Sequence, residues 1–289
     1  MIFLLLCLFV LADLPNWLEF VNDYNPITHI TIPGSYLSGT DDFYISSPYY
    51  CAQNIPINQQ LMIGVRFFDI ELRDLYDNIH AVYYDKYNLL YSHYNYNKIQ
   101  SIFINFLNKY PTEFIIIKIS YDGELMNILT NNIRDFSEYY YQKNDIPIVM
   151  NLRKKIYILQ DYSNNSAIYY NYSNVQGYKN VLIDNCNYTS IKRQLESIEK
   201  SISDSVNKQT KIMYLTFGVG YPIYEKLCGL SVHCFCNISY TSKIFNSKLE
   251  KLINNINYNS LGIIALAKIN SNSTLAIVFK NNLEIYQKL

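Results

Sequence analysis

The chain has no net charge to offer: 24 basic residues are balanced by 24 acidic ones over 289 positions. Without a strong field, nothing steers it onto nucleic acid or an anionic membrane surface, and no nucleic-acid partner is expected. Charge of either sign is sparse at 17%, but hydrophobic residues make up 49%, which excludes a disordered chain. No break in composition is long enough for a linker, so one domain is expected over residues 13–289. No glycine-rich loop follows an early strand, which counts against a nucleotide-binding, doubly wound sheet. No apolar run is long enough to cross the roughly 30 Å of a bilayer core, so no transmembrane segment is expected in the mature chain.

The longest apolar run, Met1 to Ala12, instead suits the core of a secretory signal, with Val10 and Ala12 at the small positions before a cut. A buried N-terminal helix is the alternative. Secretion would suit the Asn-x-Ser/Thr sequons at Asn164, Asn171, Asn187, Asn237 and Asn272, although an Asn-rich chain yields several by chance. Removing residues 1–12 takes Cys7 and leaves Cys51, Cys186, Cys228, Cys234 and Cys236, an odd number. At most two disulfides then form within the chain. Cys228, Cys234 and Cys236 read as a local disulfide loop, or with His233 as zinc ligands, though zinc ordinarily wants a second ligand pair. What the chain has in excess is tyrosine, 30 of them, beside much Asn, Ile and Lys. All four have AT-rich codons, so drift in an AT-rich genome, such as that of a parasite or large DNA virus, accounts for them.

Apolar runs of strand length alternate with amphipathic stretches. Strands are expected at 29–33, 64–72, 79–84, 113–120, 154–160, 181–184, 211–217 and 261–269. Helices are expected at 95–109, stopped by Pro111, and at 123–142, 190–206 and 242–256. The helix at 190–206 puts Ile191, Leu195, Ile198, Ile202 and Val206 on one face, with Lys192, Glu196 and Lys200 at four-residue spacing. Eight such runs predict an α/β fold, a single (β/α)8 barrel of TIM type, with an open sheet as the alternative.

Four ordered motifs carry a more specific signal. Ile30-Thr-Ile-Pro-Gly-Ser-Tyr-Leu-Ser-Gly-Thr40 resembles the opening of the phospholipase C X domain, an apolar strand followed by Pro-Gly-Ser/Thr-His-Asp-Ser. Gln60 to Glu71 (QLMIGVRFFDIE) is similar to that family's second strand, Asn108 to Ile117 to its Pro-x-Glu step, and Arg153 to Gln160 to its mid-barrel strand. The chain thus resembles the phosphatidylinositol-specific phospholipases C, phosphoric diester hydrolases with a distorted barrel, over roughly residues 15 to 270. The resemblance implies cleavage of phosphatidylinositol or a glycosylated relative by two histidines, one a general base and one a general acid. It also implies positive charge beside the phosphate, from arginine or from calcium.

The residues at those positions depart from the pattern. The first histidine position is Tyr36 and the aspartate or asparagine after it is Leu37. The second histidine position falls at Tyr84, the arginine at Glu71, the lysine at Ser120 and a supporting aspartate near Ala267. Tyrosine, with an ordinary pKa of about 10 against about 6.5 for histidine, is a poor base near neutrality. Tyr36 and Tyr84 would donate hydrogen bonds to a phosphate, joined by Arg66, or they would only fill the barrel mouth. His93 is a substitute for the second histidine if residues 83–88 are an insertion; His80 is expected at the wrong end of its strand, and His29 to be structural. Asp69 and Glu71, two apart on one strand, share a face. They resemble the calcium or magnesium ligands of related enzymes, unless Asp69 is spent on Arg66 or Arg73.

Three functions follow. The first is a secreted pseudoenzyme that binds a phosphoinositide, inositol phosphate or glycolipid-anchor head group, or a host or surface protein. The second is an active Ca2+- or Mg2+-dependent phosphodiesterase using Asp69 and Glu71. The third is a non-catalytic interaction protein with a plugged mouth. For the first and third, no cofactor is expected.

Overall fold

The computed structural model describes residues 14–41, 51–75, 78–82, 91–121, 126–143, 145–160, 170–171, 175–178, 182–183, 188–207, 213–218, 221–222, 238–255 and 261–279. The expectations on residues 1–12, Tyr84, His233, Cys186, Cys228, Cys234 and Cys236 fall outside these. Cys51 is a buried thiol.

Strand β1 (Ile32–Ser35) lies between β2 (Phe67–Leu75) and β12 (Ile263–Leu266), parallel to both. From there the sheet runs outward through β5 (Ile115–Tyr121), β6 (Ile156–Gln160) and β7 (Tyr170–Asn171) on one side. On the other it runs through β10 (Met213–Gly218) and β8 (Val175–Tyr178). A first strand paired with the last curls the sheet, and the result is a distorted TIM-type barrel. Gly34 of the Pro-Gly-Ser motif is set by this packing: a β-carbon there would stand 2.7 Å from the Phe67 ring and 3.3 Å from Ala265 Cα.

Side-chain alternation divides the core. Ile32, Phe67, Ile116, Tyr157, Leu159, Met213, Leu215, Ile263 and Ala265 form an inner cluster. Their neighbours Phe68, Ile70, Ile117, Ile158, Ile264 and Leu266 face outward, under the helices. There they meet Ile99, Phe103 and Leu107 of helix α2 (Tyr96–Lys109), begun by Asn95, whose side chain accepts the amide of Lys98. Ile198 and Ile202 of α5 (Tyr188–Asn207) and Phe245 and Leu249 of α6 (Ile238–Asn255) pack on the same face. A short α1 (Ile57–Met62) precedes β2. The helix expected at 123–142 is shorter: α3 (Met126–Asp135) followed by a 3-10 turn at Ser137–Tyr139. A one-turn helix α4 (Val149–Leu152) leads into β6, and α7 (Ser271–Phe279) follows β12. The N-terminal 3-10 segment Leu14–Phe20 adds Trp17 and Leu18 to the inner cluster and seals the floor.

Two of the expected strands do not belong to the parallel series. β3 (Asn78–Val82) is antiparallel to β2, and β4 (Tyr91–Asn95) is antiparallel to β3. Two residues separate β2 from β3, too few for a parallel crossover, which needs about a dozen. The 181–184 run contributes β9 (Leu182–Ile183) to a separate pair with β11 (Tyr221–Pro222), and β7 and β8 complete the series instead.

Candidate functional site

In a barrel of this kind the loops after the carboxyl ends of the strands form the mouth where ligands bind. At that end of β2 and β5 the inward-facing positions turn from apolar to polar or charged: Asp69 and Glu71 follow Phe67, and Lys118 and Ser120 follow Ile116. Asp69 lies opposite Lys118 in register, and Glu71 opposite Ser120. Lys118 Nζ donates to Asp69 Oδ1 and to Ser120 Oγ, both at 2.9 Å. Glu71 is paired more loosely with Arg73, at 3.5 Å. Burial pushes the Glu71 carboxyl up to about 7, with Asp69 adding to the rise and Arg73 and Lys118 opposing it. It is therefore a carboxyl that changes charge near neutrality.

The turn after β1 closes beside this cluster. Ser38 N donates to Asp69 O at 2.8 Å, and Tyr36 N to Leu266 O at 2.9 Å. Gln53 clamps the turn from outside, its Nε2 donating to the carbonyls of Tyr36 and Leu266. Tyr36 is only 5% exposed and packs in the inner cluster, as does Leu37. Leu37 has φ +45°, in the left-handed region that Asn and Asp enter more readily than leucine. The turn thus keeps a backbone suited to the polar residue of the resembled motif while presenting an apolar one. Ala267 is fully buried past the end of β12.

Two expectations are corrected here. Arg66 was expected to meet a ligand, but it is fully enclosed at the opposite end of β2. Its Nε bonds Glu113 Oε2 at 2.7 Å, and its remaining donors reach the carbonyls of Leu61, Val65 and Pro15. Burial lowers the Arg66 pKa and raises that of Glu113, and each charge pulls the other back. The cause of the misplacement is parity: Arg66 shares its side with Phe68 and Ile70, the outward face, where the Phe106 ring lies 4.6 Å away. The ion-pair partner of Asp69 is likewise neither Arg66 nor Arg73 but Lys118. Lys118 carries no motif signal of its own; the cross-strand pairing of the second and fourth expected strands is what brings it to Asp69.

With a lysine ammonium bonded to Asp69, the Asp69–Glu71 pair does not fit a hard dication, which needs several free oxygens. Among the described residues, no group of three His, Cys, Asp or Glu side chains could hold a metal ion. His93 sits mid-strand on β4, in the antiparallel excursion, its ring 4.2 Å from that of Tyr94. His80 lies opposite Arg73 on β3, and His29 is exposed before β1.

No protein-family profile matches the chain. Two 1-phosphatidylinositol phosphodiesterases of Staphylococcus aureus, from strains Newman and NCTC 8325, are 31% identical to it over 129 residues, 44% of this chain. The match spans only 40% and 38% of those relatives' own length. The phosphatidylinositol-specific phospholipase C of Listeria monocytogenes superposes with a TM-score of 0.77 at 18% identity, over 93% of this chain and 98% of its own. That of S. aureus gives 0.75 at 19%, over 94% and 99%. The fold is therefore that of the bacterial phosphatidylinositol-specific phospholipase C barrels. Sequence similarity to the staphylococcal phosphodiesterases extends over 129 residues of it.

Proposed function

We propose that this barrel binds the phosphorylated head group of an inositol lipid or glycolipid anchor at its mouth without turning it over. The observation that carries this reading is the replacement of a proton-accepting side chain at position 36 by a tyrosine enclosed in the apolar interior. The carboxyl of Glu71, where the resembled enzymes carry a phosphate-neutralising arginine, works in the same direction. Lys118, 12% exposed at the mouth, supplies the positive charge for a phosphate. The protein is secreted in this reading, and mass spectrometry of the exported chain should find it beginning at Asp13.

The decisive assay offers phosphatidylinositol vesicles and a glycosylphosphatidylinositol-anchored protein, with calcium and with chelator. The expected result is no release of product in either condition, together with saturable binding of the protein to phosphatidylinositol vesicles that Lys118→Met abolishes. Robust hydrolysis would overturn the proposal. It would favour a second reading suggested by the raised Glu71 carboxyl, a phosphodiesterase in which Glu71 accepts the proton. Under that reading Glu71→Gln removes turnover, and the rate follows an ionisation near pH 7.

A further inference from the structure

A cavity of about 610 Å³, walled by polar and charged residues, opens outside the barrel, at the same end as the mouth. Its walls include Lys243, Asn246 and Glu250 along α6 and Lys268 from the β12–α7 connection. The volume falls in the range of small-molecule sites, roughly 300–1,000 Å³.

Three features make it a built site. Asn246 is 7% exposed, and its Nδ2 donates to the carbonyls of Ala267 and Lys268, at 3.2 and 3.4 Å. Those two acceptors fix the amide's orientation, and its Oδ1 accepts no hydrogen bond among the described residues. A buried acceptor left in this state is unfavourable unless something donates to it. The second feature is Lys268, held at φ +49° with its amide bonded to Ala52 O and its Nζ on Gln53 O at 3.2 Å. It is half-buried, forms no ion pair among the described residues, and burial lowers its pKa. The third is Glu250, whose Oε1 accepts from the buried Ser273 hydroxyl at 2.7 Å, which orients the carboxylate.

A ligand that satisfies this wall must donate to Asn246 Oδ1 and Glu250 while accepting from Lys268 and Lys243. Hydroxyl groups do both. The two lysines against one glutamate leave room for one anionic substituent, favoured also by the first turn of α7, which begins at Ser271. We infer that the cavity is a binding site for a polyol carrying one anionic group, the chemistry of a sugar phosphate. It stands apart from the head-group site, because Asp69 and Lys118 face inward, whereas this cavity lies against α6.

Calorimetric titration of the full chain with glucose 6-phosphate, glucose and inorganic phosphate tests the inference. Glucose 6-phosphate should bind saturably, and each fragment should bind at least about tenfold more weakly, as the loss of a charged or bidentate contact implies. Lys268→Met and the exposed Lys243→Glu should each weaken binding by about tenfold, while Lys118→Met in the mouth leaves it unchanged. Lys243→Glu carries the test if Lys268→Met fails to fold. No saturable binding, binding that survives both lysine changes, or inorganic phosphate binding as tightly as the sugar phosphate would each overturn it. Loss on Lys118→Met would overturn it too, by assigning the ligand to the mouth, and so separates its failure from that of the head-group proposal.

Discussion

Strands β2 and the β5 segment carry an ion pair at each end of the barrel, and the two are built to opposite specifications. At the floor, Arg66 and Glu113 are fully enclosed and their hydrogen-bonding capacity is largely spent: Glu113 Oε1 also accepts the Leu18 amide. At the mouth, the side chains of Lys118 and Asp69 are 12% and 6% exposed, and beside them Glu71 stands 3.5 Å from Arg73 with a carboxyl raised to about 7. The floor pair is a completed structural joint. At the mouth, burial and Asp69 outweigh the pull of Arg73 and Lys118 on Glu71, so its charge is sensitive to what binds beside it.

The largest effect should come from breaking the floor. Arg66→Met leaves Glu113 buried without its cation and should cost about 3–5 kcal/mol in urea denaturation, whereas Arg66→Met with Glu113→Leu should recover much of that loss. Next comes Glu71→Gln, where the sign depends on pH. The folded Glu71 holds its proton up to about pH 7, whereas the unfolded chain releases it near its ordinary 4.5. Wild-type stability is therefore lost as pH rises through that window. Glu71→Gln should gain about 2–3 kcal/mol at pH 8.5 and almost nothing at pH 4. A gain that is the same at both pH values would place the cause in packing instead of ionisation. Lys118→Met, which strands Asp69, should cost about 1–2 kcal/mol, less than at the floor because the mouth admits water. The smallest effect belongs to the exposed Lys192–Glu196 pair on α5: Lys192→Ala should change stability by no more than about 0.5 kcal/mol, and salt should erase even that.

The barrel was legible because its signals are local and repeated. The apolar run Phe114–Ile117 marked the strand expected at 113–120, and Ile99, Phe103 and Leu107 lie on one face of the helix expected at 95–109. The antiparallel excursion of β3 and β4 was legible in principle, since no helical stretch separates Leu75 from Asn78, but counting eight runs favoured a uniform series. Arg66 was misassigned because a motif was carried over without following side-chain parity along the strand. Lys118 went unnoticed for a different reason: its importance lies in standing opposite Asp69, a relation between residues 49 apart that exists only once the register is fixed. The cavity at Asn246 and Lys268 is less legible still, because three separate connections must meet to form it.

The floor has one more consequence. Residues 14–21 are tied to positions remote in the chain: Leu18 to Glu113, Trp17 to Gly64, and the carbonyls of Leu18 and Val21 to Arg153, more than 130 positions away. Contacts of such sequence separation are the last to reward the chain entropy they consume. Residues 14–21 therefore dock late, and the barrel closes from below only after Arg153 has been made and placed.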